Sequence, residues 1–439
     1  LQTRPSLSIT LILTGMMDNS LKENQERGET GMKSYVIVGA GARARYMFAR
    51  PIVYQWQATA KLAGIYDINP TRANLLSQEC GGVPVYDSFD AMLSGARPDV
   101  VIVATVDSTH HEYIIRSLEA GSDCITEKPM TIDAEKCRAI LEAERRTGKK
   151  VRVTFNARFN PYTAKIKELL CEGAIGEITH IHFEWNLDHS HGADYFRRWH
   201  RRMENSGGLL VHKSTHHFDL INWWLGKEPE EVFAYGRRAF YGATREQRGE
   251  RCLTCSYQSS CEFYFDIESD EFTNSYYLGA EQEDGYIRDQ CVFGEDITIY
   301  DSMSLNVRYE EAVTLNYSLI AYSPYEGWRA VIHGTKGRME AEVYTSGERA
   351  HEPFQQIDVY DHRGNVEIQR VKKLEGGHGG SDVKLQRMLF VPDQPDPLGQ
   401  QADSRAGAMS LCLGSAANRS IADNRPVRII DLLEGVESC

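Results

Sequence analysis

Between residues 33 and 155 the apolar positions fall in short runs separated by stretches with helical spacing. Ser34-Tyr35-Val36-Ile37-Val38, Lys61 to Tyr66, Val100 to Ala104, Cys124-Ile125-Thr126 and Lys150 to Phe155 read as strands buried on both faces. Helical spacing runs from Glu112 to Glu119, stopping at Gly121, and from about Asp133 to Thr147. This alternation predicts a parallel, doubly wound sheet. After residue 156 the pattern changes. Tyr162 to Glu172 and Leu209 to Leu225 read as helices, each followed by glycine. Ile178 to Asn186, Glu231 to Tyr235, Ala312 to Ala321, Arg329 to His333, Arg338 to Val343 and Gln356 to Tyr360 read as strands of a large, mostly antiparallel open sheet. Asp403 to Ala422 reads as a final helix. The expected fold is therefore α/β in two parts, 33–155 and 156–439. A Cys- and Tyr-rich insertion interrupts the second part at about 240–305. Residues 1–32 look peripheral, with Asp18 to Gly31 polar, and read as a disordered lead or an expression remnant.

Composition narrows the function classes. A chain of 439 residues with a net charge of −13 is a poor match for nucleic acid or an anionic membrane. No apolar run approaches the roughly 18–20 residues needed to span a bilayer. Ten cysteines scattered through helices and strands suit a reducing, cytoplasmic setting.

The chemistry begins after the first strand. Gly39-Ala40-Gly41-Ala42-Arg43-Ala44 is G-x-G-x-x-A between a strand and a helix. Gly39 makes the tight turn, Gly41 lets backbone approach a pyrophosphate, and Ala44 allows close helix packing. This makes the first part a Rossmann-type domain, with Ala42 and Arg43 at the phosphate-facing turn. Asp67, after the second strand, is placed to accept both ribose hydroxyls and to repel a 2′-phosphate. It favours NAD over NADP, and nearby Arg72 softens that preference. Glu127-Lys128-Pro129 follows the fourth strand. Proline ends the strand, so Lys128 sits at the carboxyl edge, where ligands bind in open α/β sheets.

A second cluster lies in Leu209 to Leu225, after Gly207-Gly208. On one helix His212 and His216 share a face, with Asp219 near it. An i, i+4 histidine pair suits zinc, but no third ligand or metalloprotease glutamate accompanies it. The other reading is a general base titrating near the working pH.

These motifs, with Thr105…His110, Arg158-Phe159-Asn160-Pro161 and the His216…Asp219 helix, resemble in order the Gfo/Idh/MocA oxidoreductases. The resemblance covers about residues 33–235 well and the rest by architecture. It implies hydride transfer between NAD(P) and a sugar, sugar derivative or cyclitol hydroxyl. Lys128 is then the active-site lysine and His216 the histidine that removes the hydroxyl proton. Thr105, His110, Glu127 and Lys128 join Gly39, Gly41, Ala42, Arg43 and Asp67 around the cofactor. The family helix carries Asp where this chain has His212, so the base is either His212 or His216. Arg158, Asn186, Trp199, Arg201, His212, His216 and His378 are candidate substrate contacts, and the expected partner is a small carbohydrate or polyol. The open sheet implies a homodimer or homotetramer. Two other functions stay open: glycoside cleavage by transient oxidation with tightly held NAD, and nucleotide sensing without turnover.

The insertion holds Cys252-x-x-Cys255-x5-Cys261, with Cys291 downstream. A four-thiolate structural zinc is the preferred reading. An iron–sulfur cluster and plain packed thiols are the alternatives.

Overall fold

The computed structural model describes residues 32–434, so the residues expected as a lead lie, apart from Met32, outside the described part. Five strands alternate with helices in the first region: β1 (Lys33–Val38), β2 (Ala60–Tyr66), β3 (Val100–Val103), β4 (Asp123–Thr126) and β5 (Val151–Val153). All neighbouring pairs among these five are parallel, as the buried apolar runs require. The order across the sheet is β5-β4-β3-β1-β2. Strand order reverses beside β1, which opens a crevice at the carboxyl ends of β1 and β3. The turn after β1 and the loop after β3 meet there. Gly39 has φ +96°, and a Cβ on it would lie 2.5 Å from the Ala104 carbonyl oxygen, so only glycine fits. Ala44 is fully buried against Ile37 and Ile65, the close packing that a small residue permits.

The second sheet has nine strands. They are β6 (Ile178–Asp188), β7 (Pro229–Arg237), β8 (Ser302–Tyr309), β9 (Thr314–Ser323), β10 (Gly327–Gly334), β11 (Gly337–Tyr344), β12 (Phe354–Asp361) and β13 (Val366–Lys372), with a short edge strand, Val427–Arg428. Their order is β13-β12-β11-β10-β6-β9-β8-β7-edge, antiparallel except for the β6–β9 pair. β8 and β13 were not foreseen. β8 alternates cleanly but lies at the boundary assigned to the insertion, and β13 is exposed and charged along VEIQRVK. The helix Ser404–Asp423 packs between the regions, and Ala402–Asp403 adds an antiparallel strand beside β5. One core therefore runs from Val36 and Val103 through Phe183 and Trp224 to Leu411.

One helix boundary was misread. Leu209–Leu225 is two helices, Leu209–His212 and Thr215–Leu225, with a turn at Lys213 and Ser214. The cause is chemical. Lys128 Nζ donates to the His212 carbonyl at 2.7 Å, while His216 N turns to the Lys213 carbonyl. The i→i−4 bond that would join the helices is given up to the lysine.

Candidate active site

Lys128 is the centre of the arrangement. β4 ends at Thr126, and the Lys128–Pro129 peptide is cis. Burial pushes the Lys128 ammonium down to about 8, and the neighbouring Asp107 carboxylate opposes that shift. His110 braces this corner. Its Nδ1 lies 2.9 Å from the Pro129 carbonyl oxygen and its Nε2 3.2 Å from that of Thr105. The neutral ring has one N–H to donate, and through Nδ1, the shorter contact, His110 ties the loop after β3 to the Lys128 corner. Thr105 bonds Thr109 through their hydroxyls at 2.8 Å.

Asp107 is the functional candidate that the sequence reading missed. It is 3% exposed, and its Oδ2 lies 2.5 Å from Nδ1 of His212. The loop was noticed for its ends, Thr105 and His110, and an acidic residue between them is a common turn residue. Only the fold brings it to His212, 105 positions further on. A carboxylate accepts, so Nδ1 carries the hydrogen and Nε2 keeps its lone pair. Burial pushes the Asp107 carboxyl well up, and the Lys128 charge pulls it back. Burial holds His212 well below the usual histidine range, and Lys128 adds to that, so the ring is neutral and able to take a proton. His200 meets His212 edge-on at 4.2 Å between ring centroids, Trp199 stacks on His200 at 3.6 Å, and Tyr195 closes the box at 5.5 Å from His212.

His216 is half-buried, and its Nδ1 is buried with no hydrogen-bond partner. Burial and the Lys128 charge hold it well below the ordinary value as well. Asp219 does not serve it. Arg158 donates to Asp219 through Nε (2.8 Å) and Nη2 (2.6 Å), and through Nη1 to the Gly399 carbonyl. Both side chains are buried, so Arg158 is spent on a structural pair and does not offer itself to a substrate. Replacing Arg158 with methionine would strand a buried carboxylate. We expect about 3–5 kcal/mol of lost stability in urea unfolding, with the Arg158→Met/Asp219→Leu double variant less destabilised than the single.

The other candidate contacts divide. Trp199 belongs to the box around His212. Asn186, on β6, is 8% exposed and donates to Glu184 at 3.3 Å. Arg201 turns to Asp296 of the insertion at 2.5 Å. His378 is exposed and bonds Asp382 at 2.8 Å. Asp382 also accepts from Asn156 and Arg43, and Arg43 donates to Glu127 at 2.7 Å. Arg43 and Glu127 thus fix the Gly-rich turn to the Lys128 corner.

The residues expected to hold a dinucleotide fit one. A Cβ on Gly41 would meet nothing within 4 Å, so the space above the turn is open. Asp67 accepts from the Ala40 and Asn69 amides at 2.6 and 2.7 Å, which fixes its carboxylate at the end of β2.

The zinc expectation fails on geometry. Cys252, Cys255, Cys261 and Cys291 line one small apolar pocket with Phe263 and Phe293. Yet among the described residues no three His, Cys, Asp or Glu side chains are grouped to hold a metal ion. Arg197 donates to the Cys252 sulfur at 3.1 Å and Arg245 to that of Cys261 at 3.3 Å, so two of the four sulfurs are held by arginine. All nine described cysteines are free. Among the described residues no helix is long and apolar enough to cross a membrane.

Comparison with known proteins agrees with this fold. The chain is 39% identical over 426 residues to YteT of Bacillus subtilis (strain 168), whose name says oxidoreductase without a substrate; the match covers 92% of this chain and 99% of that one. It is 31% identical over 198 residues to an inositol 2-dehydrogenase of Rhizobium meliloti (strain 1021), covering 45% of this chain and 56% of that one. A solved structure of the WlbA dehydrogenase from Bordetella pertussis, in complex with NADH and UDP-GlcNAcA, shares the fold with a TM-score of 0.62 at 19% identity, covering 91% of this chain and 99% of that one. Residues 33–155 match the oxidoreductase family's NAD-binding Rossmann fold, and residues 167–429 match its C-terminal alpha/beta domain. With most of its length matched, the chain belongs to the Gfo/Idh/MocA family of oxidoreductases.

Proposed function

We propose that the chain is an NAD-dependent dehydrogenase acting on a secondary hydroxyl of a sugar, sugar derivative or cyclitol. The observation that carries this reading is the convergence of Lys128, His212 and Asp107 at the carboxyl edge of a dinucleotide-type sheet. Bound NAD would supply the hydride acceptor. The residues of the chain supply the rest. The free nitrogen of His212 takes the hydroxyl proton, and Asp107 behind it holds the tautomer and steadies the imidazolium. The Lys128 ammonium faces the substrate oxygen as negative charge grows on it. His216, four positions after His212 and held neutral by burial and the Lys128 charge, is the alternative base. Absorbance at 340 nm tests this. Purified protein given NAD and a panel of sugars, sugar acids, inositols and glycosides should form NADH with one class. Free sugar from a glycoside without NADH would replace this reading with transient oxidation and elimination. Silence from every class would count against turnover.

The preference for NAD over NADP is part of the same proposal. The Asp67 carboxylate at the end of β2 would repel a 2′-phosphate, and the cation beside it is engaged. Arg72 pairs with Asp284 of the insertion, and both side chains are nearly buried. Asn69 donates to the Ala280 carbonyl at 2.8 Å and Thr71 to Glu283 at 3.1 Å, so the insertion lies directly over this corner. Asp284→Ala frees the Arg72 guanidinium. We expect NADP affinity to rise by about tenfold relative to NAD in calorimetric titrations, the value of one charge-assisted hydrogen bond.

A further inference from the structure

We infer that Lys213 is the specificity residue of this site, and that the substrate it selects carries a carboxylate, as a uronic or other sugar acid does. This rests on the dehydrogenase reading and adds the substrate's charge to it. Lys213 occupies the turn that separates the two short helices, immediately after His212. Its ammonium lies 5.0 Å from the centre of the Trp185 ring and 6.0 Å from that of Tyr195, the ring that also closes on His212. The side chain is therefore directed into the aromatic wall beside the reacting groups, not outward as a surface helix lysine would be.

The charge balance around it is the second observation. Among the described residues Lys213 has no hydrogen-bonded or ion-paired carboxylate. The facing acid is Glu326, whose Oε2 is taken by Nδ1 of His191 at 2.7 Å. Asp107 is taken by His212, and Glu127, which faces Lys128, by Arg43. The remaining titratable neighbours, Lys128, His212, His216 and His217, are cationic or neutral, and each is affected by the Lys213 charge. Burial in turn pushes the Lys213 ammonium down. Keeping a half-buried cation next to a second one costs free energy; the Glu326 charge offsets part of it, and an anion reaching the ammonium would offset more. Lys128 has its own task and its own bond to the His212 carbonyl, so Lys213 is the cation left for a ligand. Trp185 is stacked on His217 at 3.9 Å and Tyr195 on His191 at 5.3 Å, so these rings fix the wall from which the ammonium reaches the acid group.

The test compares acids with their neutral partners. D-glucuronate against D-glucose, and D-galacturonate against D-galactose, are offered with NAD to the wild type, Lys213→Met and Lys213→Arg. The wild type should favour the acid in kcat/KM, and added salt should raise KM for the acid only. In Lys213→Met the acid-over-neutral ratio should fall about 10–100-fold, mainly through KM, and Lys213→Arg should restore part of it. Unchanged NADH affinity shows that the Met variant is folded. A wild-type ratio near one, or a ratio that Lys213→Met does not move, overturns the inference while leaving the dehydrogenase reading intact. If none of the four is oxidised, calorimetry of glucuronate and glucose on the NADH complex decides. Glucuronate binding lost in Lys213→Met supports the inference, and equal or absent binding sinks it. Loss of nucleotide binding altogether would instead strike the dehydrogenase reading.

Discussion

Lys128→Met should lower turnover by about 10²–10⁴-fold while leaving nucleotide affinity within a few-fold of wild type. The ammonium is a donor already aimed, in a buried corner where its charge is poorly screened. Its Nζ is held by the His212 carbonyl, so little reorganisation accompanies the growth of charge on the substrate oxygen. A methionine keeps much of the volume and removes the charge. It also leaves the His212 carbonyl without its donor, so the turn at Lys213 and Ser214 loses a constraint. Lys128→Arg separates the two effects, since arginine keeps charge and donors but not the point geometry. The pH profile gives an independent check. The ammonium titrates near 8, and its useful form is the charged one. Activity should therefore decline as pH rises through about 8, and that limb should be missing from Lys128→Arg, whose charge persists. A wild-type profile flat from pH 7 to 10, or near-normal turnover in Lys128→Met, would remove Lys128 from the reaction.

Much of this site was legible because its parts are local. A strand, a glycine turn and a helix are contiguous, so Gly39, Gly41 and Ala44 could be given roles from spacing alone. Asp67 and Lys128 follow their strands by a residue or two, and strand ends in such sheets face the ligand. What could not be read are the contacts that close across the chain. Asp107 meets His212 only because the second region folds back over the carboxyl edge of the first sheet. Arg158 has the composition of a substrate contact, but its partner, Asp219, sits 61 positions away and is buried with it. The histidine helix was misread because helical spacing continues through Lys213 and Ser214, and nothing local reports that Lys128 takes the carbonyl. The cysteine spacing suggested zinc, yet the sulfurs are approached by Arg197 and Arg245, which sequence distance hides.

Asp107→Asn should be almost as damaging as loss of Lys128, by about 10²–10⁴-fold in kcat, although Asp107 need not touch the substrate. The family helix has an aspartate where this chain has His212. Here the negative charge is supplied from the other sheet, by the loop after β3. The amide of asparagine can donate to Nδ1, which favours the tautomer with hydrogen on Nε2. The nitrogen that should accept the substrate proton is then already occupied. The variant also removes the carboxylate bonded to His212, which together with Glu127 offsets the charge on Lys128. Two readouts distinguish this positioning role from simple loss of packing. The alkaline limb assigned to Lys128 should move to lower pH, because the ammonium loses the larger of its two counter-charges. Nucleotide affinity and the urea midpoint should change far less than kcat. Asp107→Glu should recover more activity than Asp107→Asn, since a carboxylate one methylene longer keeps the sign of the interaction. Equal turnover in Asp107→Asn and wild type would take the Asp107–His212 pair out of the reaction and return the base to His216.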